Sequence, residues 1–282
     1  MESGLIALLT DFGESDIYVG VMKGVMKTIH PRAEFVDITH NIQPQNVRQG
    51  AFALLNAYRY FPTGTIFLVV VDPGVGSTRK PIAVQAGGHT FIAPDNGVLS
   101  YALSELENLR VVELSNAVYQ LFPPSNTFHG RDIFAPAAAH IAGGVPLERL
   151  GPLVDRIFRL PLPQVRIDGS RIVGQVIHLD HFGNVMTNIG RLEWLTPEQL
   201  RLEPNITPPV PPVFIETSQA AVLVNDHSIT EFHQSYGVTP RGTVLALVNS
   251  NGSLEIAVNQ GSAAHKLQIA LDDRVELQTG HP

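Results

Sequence analysis

The first half of the chain alternates short apolar runs with amphipathic stretches. Residues 5–9 are apolar and run into Thr10-Asp11-Phe12-Gly13, and 16–29 then carries a helical period that His30-Pro31 ends. Residues 34–37 read as a strand and 47–58 as a helix. The run 66–71 is wholly aliphatic or aromatic and rich in β-branched side chains, as a buried strand requires. Further strands are expected at 82–85 and 90–93, and helices at 98–106 and 132–142. Strands that are apolar throughout, separated by helices, belong to a mostly parallel sheet covered on both faces. The pattern predicts an α/β N-terminal domain.

The rhythm changes after Leu160-Pro161-Leu162-Pro163, a proline-spaced connector that sets the expected boundary, 1–163 against 164–282. Short β-rich runs follow at 172–179, 185–189, 213–215, 220–224, 243–248, 254–258 and 275–278. Asn184, Gly190, Asn251-Gly252 and Asp272-Asp273 punctuate them, a spacing that predicts a small antiparallel barrel or sandwich. The proline-rich stretch 204–212 reads as a surface excursion.

Composition narrows the function classes. The 282 residues carry a net charge of −7, which argues against nucleic-acid or anionic-membrane binding, since both need a basic face. The length favours two domains. Charged residues are only 16%, so much of the surface is expected to be covered, by folding or by a neighbouring subunit. With no cysteine, disulfides, thiolate nucleophiles and Cys-ligated metals are excluded. The run 66–71 falls far short of the ~20 apolar residues a membrane span needs, and Met-Glu-Ser-Gly lacks the basic start of a signal peptide. A cytoplasmic protein is expected.

Two aspartates follow apolar strands: Asp11 after 5–9 and Asp72 after 66–71. In an open parallel sheet both fall on the carboxyl edge, where ligands bind at a topological switch point. Either alone reads equally as a helix N-cap or Asx turn; together they favour a site. Asp72-Pro73-Gly74-Val75-Gly76-Ser77-Thr78-Arg79 is neither a dinucleotide fingerprint nor a P-loop. It offers an acid and a guanidinium on a glycine-rich loop, able to converge on a small polar ligand or to form a plain loop salt bridge. Thr127-Phe128-His129-Gly130-Arg131-Asp132 sets His129 at a helix entry, where the helix dipole disfavours imidazolium; the bland reading is an Asp132 cap beside a half-buried histidine. His178-Leu179-Asp180-His181 has the composition of a metal cluster, but on a strand His181 faces away from His178 and Asp180, so no metal site is expected.

These residues fit one family. Leu9-Thr10-Asp11-Phe12-Gly13 with Asp16 and Tyr18-Val19-Gly20, Asp37-Ile38-Thr39-His40, Asp72 to Gly76 with Arg79, and Ala93-Pro94-Asp95-Asn96-Gly97 come first. Thr127 to Asp132, Asp180 with Phe182-Gly183-Asn184, and Asn249-Ser250-Asn251-Gly252 with Leu254-Glu255-Ile256-Ala257 complete the order. The sequence resembles the S-adenosyl-L-methionine (SAM) hydrolases, or SAM hydroxide adenosyltransferases, relatives of the SAM-dependent fluorinase and chlorinase, over nearly the whole chain. The resemblance implies an α/β N-terminal domain and a C-terminal antiparallel β-barrel. It also implies a homotrimer with sites between subunits, and hydrolysis of SAM to adenosine and methionine without a cofactor.

On that resemblance Asp11 matches the carboxylate that grips the ribose diol, with Asp16 nearby. Asp180 matches the acid facing the methionine ammonium, Asn184 the amide that reads adenine, and Phe182 a stacking ring. Ser250 and Asn251 match the pair that holds the methionine carboxylate, while Glu255 and the main chain from Val258 to Gln260 fall where the family closes on adenine. Asp72, Arg79 and His129 match the family's water-binding triad. The halogenases replace that triad, and Gln45 and Met186 stand where the fluorinase carries tryptophans, so water is favoured over halide. A non-catalytic SAM or adenosine sensor and a metal-dependent hydrolase are the remaining readings.

Overall fold

Leu5–Thr10 forms the first strand, β1, whose side chains alternate between two apolar layers. Ile6 and Leu8 pack on one face with Met22 and Met26 of α1 (Tyr18–Ile29); Ala7 and Leu9 face the other side with Leu54 of α2 (Val47–Ala57). The structure is a computed structural model that describes residues 4–204 and 210–280. The chain divides into two compact units, Met1–Pro161 and Leu162–Pro282.

In the first unit β2 (Glu34–Thr39) and β3 (Ile66–Val70) flank β1 in parallel, and β5 (His89–Pro94) continues the parallel run beside β3. β4 (Pro81–Ala86) pairs antiparallel with both β5 and β6 (Arg110–Glu113), giving the order β2-β1-β3-β5-β4-β6. The sheet is therefore mixed, parallel only around β1 and β3. The reason is local: Gly87-Gly88, both at positive φ, join β4 to β5 as a two-residue hairpin, which only antiparallel strands accept.

Helix boundaries moved where tertiary packing overrode the periodic pattern. α1 begins at Tyr18 rather than at Asp16, and His30 ends it by donating its backbone N–H to Met26. Asn46 caps α2 by accepting the Gln49 N–H at 2.9 Å. The helix expected at 98–106 is realised only as Ser100–Leu103 (α3). That expected at 132–142 is a wide π-bonded turn, Gly130–Phe134, leading into α4 (Ala135–Ala142), whose first turn accommodates Pro136.

The second unit is antiparallel. β7 (Arg166–Asp168), β8 (Arg171–Leu179) and β9 (Val185–Thr187) open it. β10 (Leu192–Thr196), β11 (Gln199–Leu202) and β12 (Val213–Glu216) form a separate three-stranded sheet. With β13 (Ala221–Val224), β14 (His227–Ile229), β15 (Val244–Val248), β16 (Leu254–Val258) and β17 (Arg274–Gln278), the main sheet runs β14-β13-β17-β8-β9-β16-β15, with β7 also on β8.

A closed barrel was expected; the sheet is only nearly one. β14 is three residues long, and no ladder joins it to β15 among the described residues. Instead the chain just beyond β14 makes one parallel bridge, Phe232 to Ala246, with the Ala246 N–H donating to the Glu231 carbonyl at 2.8 Å. Of the expected excursion 204–212, residues 205–209 lie outside the described residues. Among the described residues no helix is long and apolar enough to cross a membrane.

Candidate active site

The parallel register pairs Thr10 with Val70, so Asp11 and Asp72 leave adjacent strands at the same edge of the sheet. β1 continues to β2 on one side, while β3 continues to β4 and β5 on the other, which makes this edge the topological switch point. The side-chain amide of Asn96 donates to the Val71 carbonyl at 2.8 Å and secures the exit of β3.

Asp72, Arg79 and His129 meet. Arg79 grips Asp72 with a two-pronged bond, Nε to Oδ1 at 3.0 Å and Nη2 to Oδ2 at 2.5 Å, and its Nη2 lies 2.7 Å from His129 Nδ1. The Asp72 and Arg79 side chains are nearly buried, at 6% and 9% exposure, so this is no solvated surface pair. The guanidinium also lies over the Phe134 ring, 5.3 Å from its centroid.

Chemistry assigns the protons. A guanidinium only donates, so His129 Nδ1 accepts, and the neutral ring carries its hydrogen on Nε2. Burial first, and then the Arg79 cation, push the His129 pKa below the ordinary histidine range. His129 is thus held as a neutral donor, and the free lone pairs of Asp72 are the acceptors of the trio. The helix-cap reading of Asp132 does not hold. Its carboxylate, 2% exposed, accepts the Ser125 N–H and both prongs of Arg131, tying down the turn that delivers His129.

The depressed His129 pKa predicts a pH dependence. Between the folded value and the ordinary one, the unfolded chain binds the extra proton and the folded protein does not, so stability falls as pH falls through that window. Denaturant midpoints from about pH 5 to 7.5 should show this slope, and His129→Gln should reduce it, the remainder coming from His89, His140 and His178, which burial pushes in the same direction.

Glycines make the trio possible. Gly76 sits at φ +77°, and a Cβ there would lie 2.5 Å from the Asn126 carbonyl oxygen. The Asp72–Arg79 loop can pass the 125–129 turn only without a side chain. Gly76→Ala is expected to destabilise the protein by about 1–3 kcal/mol and to lower turnover, measured by denaturation and initial rates on the same samples.

Asp11 accepts the Gln45 N–H at 2.8 Å, with Gln45 itself at φ +68°. Phe12, next to it in sequence, forms a ring cluster with Tyr18 and Phe128, with centroids 5.1–5.9 Å apart. Asp16 is exposed on the connection to α1.

In the second unit Asp180 organises the turn after β8. Its Oδ1 accepts the Phe182 and Asn184 backbone N–H groups at 2.9 and 2.8 Å, and its Oδ2 accepts the Asn184 side-chain amide at 2.9 Å. Gly183 is required there: it has positive φ, and a Cβ would meet Ser262 Oγ at 2.0 Å. Asn184 is buried, and Phe182 projects into solvent. Asp180→Ala is therefore expected to lose about 1–3 kcal/mol of stability as well as ligand affinity, seen as a lower denaturation midpoint.

Glu255 proves buried, not open. Its Oε1 accepts the Tyr236 O–H at 2.7 Å, and it pairs across β9 with Met186, which in turn pairs with His178. Burial pushes the Glu255 carboxyl above the usual range, offset in part by hydrogen bonds from Tyr236 and Asn249. The Val258 side chain packs into the apolar core, leaving only its main chain to contact a ligand. Ser250 and Asn251 are exposed on the tight 249–253 turn, which the Asn249 side chain holds by accepting the Asn251 and Ser253 N–H groups, both at 3.0 Å. Sequence reasoning had not singled out Tyr236, which sits in no motif, or Asn249, whose motif was read for its neighbours. Among the described residues no cluster of three or more His, Asp or Glu is arranged to hold a metal ion.

The candidate residues thus form two constellations, one in each unit. The family model for the SAM hydroxide adenosyltransferase N-terminal domain matches residues 6–151, and that for the C-terminal domain matches 174–276. The chain belongs to the SAM hydroxide adenosyltransferase family. Its relatives in that family include the (R)-S-adenosyl-L-methionine hydrolase of Salinispora tropica, 37% identical over 98% of both chains. The hydrolase of the same name from Thermus thermophilus is 37% identical over 94% of this chain and 95% of its own. A fluorinase from Nocardia brasiliensis is more distant, at 29% identity over 98% and 97%. Among solved structures, an uncharacterized conserved protein from Thermotoga maritima superposes with a TM-score of 0.84 at 36% identity, covering 97% of this chain and 99% of that one.

Proposed function

We propose that the protein hydrolyses SAM to adenosine and L-methionine by in-line attack of water on C5′. The observation that carries this reading is the Asp72–Arg79–His129 network at the switch point of a SAM hydroxide adenosyltransferase. The sulfonium already leaves as a neutral thioether, so the protein needs no general acid and no cofactor. What it must supply is an oxygen nucleophile aligned with the C5′–S bond. Asp72 accepts one proton of that water, and His129 Nε2–H donates to its oxygen. Arg79 holds both side chains at the required angle. As oxygen bonds to C5′, the C5′–S electron pair goes to sulfur, the second proton stays on oxygen as the 5′-hydroxyl of adenosine, and the proton taken by Asp72 passes to solvent.

The same reading gives the other residues their tasks. Asp11 accepts the ribose hydroxyls, with Asp16 at the rim. Asp180 faces the methionine ammonium and Asn184 the adenine edge, with Phe182 stacking. Ser250 and Asn251 take the methionine carboxylate, while Glu255 acts through Tyr236 and the main chain at Val258 lines the adenine end. Homotrimer assembly is part of the proposal, with each site drawing on two subunits. The low charge fraction and exposed apolar side chains such as Ile17, Val118 and Phe122 support a covered surface. We propose a cytoplasmic location.

Incubation with SAM, with and without a chelator, tests the reading. The relatives' names specify the (R) sulfonium, so each epimer is assayed separately. Equal yields of adenosine and methionine, unaffected by chelation, are expected. A 5′-halo-adenosine formed in chloride or fluoride would place the protein with the halogenases. SAM bound but not consumed would make it a sensor, and loss of activity on chelation a metal-dependent hydrolase.

A further inference from the structure

A chain of polar contacts runs from the protein surface to the two sides of Asp11, and the proposed reaction does not use it. Lys23 of α1 donates to Asp37 Oδ2 at 2.6 Å, and His40 Nε2 lies 3.0 Å from Asp37 Oδ1. On the other edge of the ring, His40 Nδ1 lies 2.8 Å from the Thr10 hydroxyl. Thr10 Oγ1 in turn accepts the Phe12 N–H at 3.3 Å, and the His40 carbonyl accepts the Gly13 N–H at 2.8 Å.

The Asp37 carboxylate only accepts, and its Oδ1 lies against the Nε2 edge of His40 as an ion-pair partner. The Nδ1 edge of the ring shares a hydrogen bond with the Thr10 hydroxyl, which keeps a lone pair for the Phe12 N–H. Burial alone would raise the Asp37 carboxyl; the bonds from Lys23 and His40 outweigh it and hold it below the usual range. Thr10 is fully buried and His40 nearly so, and His40 is bonded to the residue before Asp11 and to the second residue after it. The three-residue turn that carries the carboxylate is therefore clamped at both ends by one residue, by the His40 imidazole at Thr10 and by the His40 backbone carbonyl at Gly13.

We propose that Asp37, His40 and Thr10 are positioning residues that hold the Asp11 carboxylate where it can accept both hydroxyls of a ribose. This rests on the reading of Asp11 as the ribose-binding acid. A two-acceptor grip on a vicinal diol tolerates little rotation of the carboxylate, and a clamp on neighbouring backbone limits that rotation.

The test is a double-mutant cycle read by adenosine affinity in calorimetry and by the kinetic constants for SAM. Thr10→Val keeps the shape and deletes the hydroxyl, whereas Thr10→Ser keeps the hydroxyl. Thr10→Val is expected to raise KM and the adenosine Kd about tenfold with kcat little changed, the worth of one well-placed hydrogen bond, and Thr10→Ser to restore both. In an Asp11→Ala background Thr10→Val should add nothing, because the carboxylate it positions is gone. Full and equal effects of Thr10→Val in both backgrounds, or a loss of stability with unchanged KM, would overturn the proposal. Unchanged adenosine affinity in Asp11→Ala itself would instead overturn the ribose reading, so the two failures are distinguishable.

Discussion

Asp72→Asn is expected to lower kcat for SAM by about 10²–10⁴-fold while adenosine affinity stays within about threefold of the parent. The amide preserves the shape of the side chain but removes the charge that Arg79 neutralises and the lone pair that takes the proton. Arg79→Ala and His129→Ala should lower kcat in the same sense, because each removes a member of one connected network. The double variant Asp72→Asn/His129→Ala should cost little more than Asp72→Asn alone, since the residues act as a unit. If Asp72 and Arg79 formed only a loop salt bridge, melting temperature would drop and the folded fraction would keep its turnover. Measured together, kcat, adenosine affinity and melting temperature separate the two accounts.

The second large effect concerns assembly. Asp11→Ala and Asn184→Ala proteins are each expected to be nearly inactive. If every site takes its ribose acid from one subunit and its adenine amide from the next in a closed ring, random mixing leaves one site in four with both groups intact. Subunit exchange in an equimolar mixture should therefore restore about a quarter of the parent activity. No recovery after demonstrated exchange, or full activity in a monomer, would refute the shared site.

Much of this was legible in the chain, for identifiable reasons. β1 up to Leu9 and all of β3 are apolar at every position because both of their faces are covered, and that pattern survives without knowledge of neighbours. The aspartates that follow them declared the functional edge for the same reason. The antiparallel turn at β4 was carried by Gly87-Gly88 alone, a dipeptide too short to outweigh the surrounding parallel signal. β6, β7, β10, β11 and β14 were missed because runs of three to five residues leave little periodicity to read.

At the site, spacing could place Asp72 and Arg79 on one loop, but not His129, fifty residues on, against their shared face. Only the resemblance had joined the three. Nor could spacing show which partner each nitrogen of His129 meets; that came from the contact between Arg79 and Nδ1. The Tyr236–Glu255 bond was likewise unreadable, since it joins a residue without a motif to the start of β16.

The central claim is that an enzyme-held water attacks C5′ of SAM, and one isotope measurement addresses it directly. SAM is turned over in ¹⁸O-water and the nucleoside product is analysed by mass spectrometry, with fragmentation to locate the label. The account predicts adenosine carrying a single ¹⁸O, at the 5′-oxygen, formed in step with methionine and lost in Asp72→Asn. Adenosine without the label, a 5′-halogenated nucleoside, or labelled adenosine formed equally fast by Asp72→Asn would contradict it.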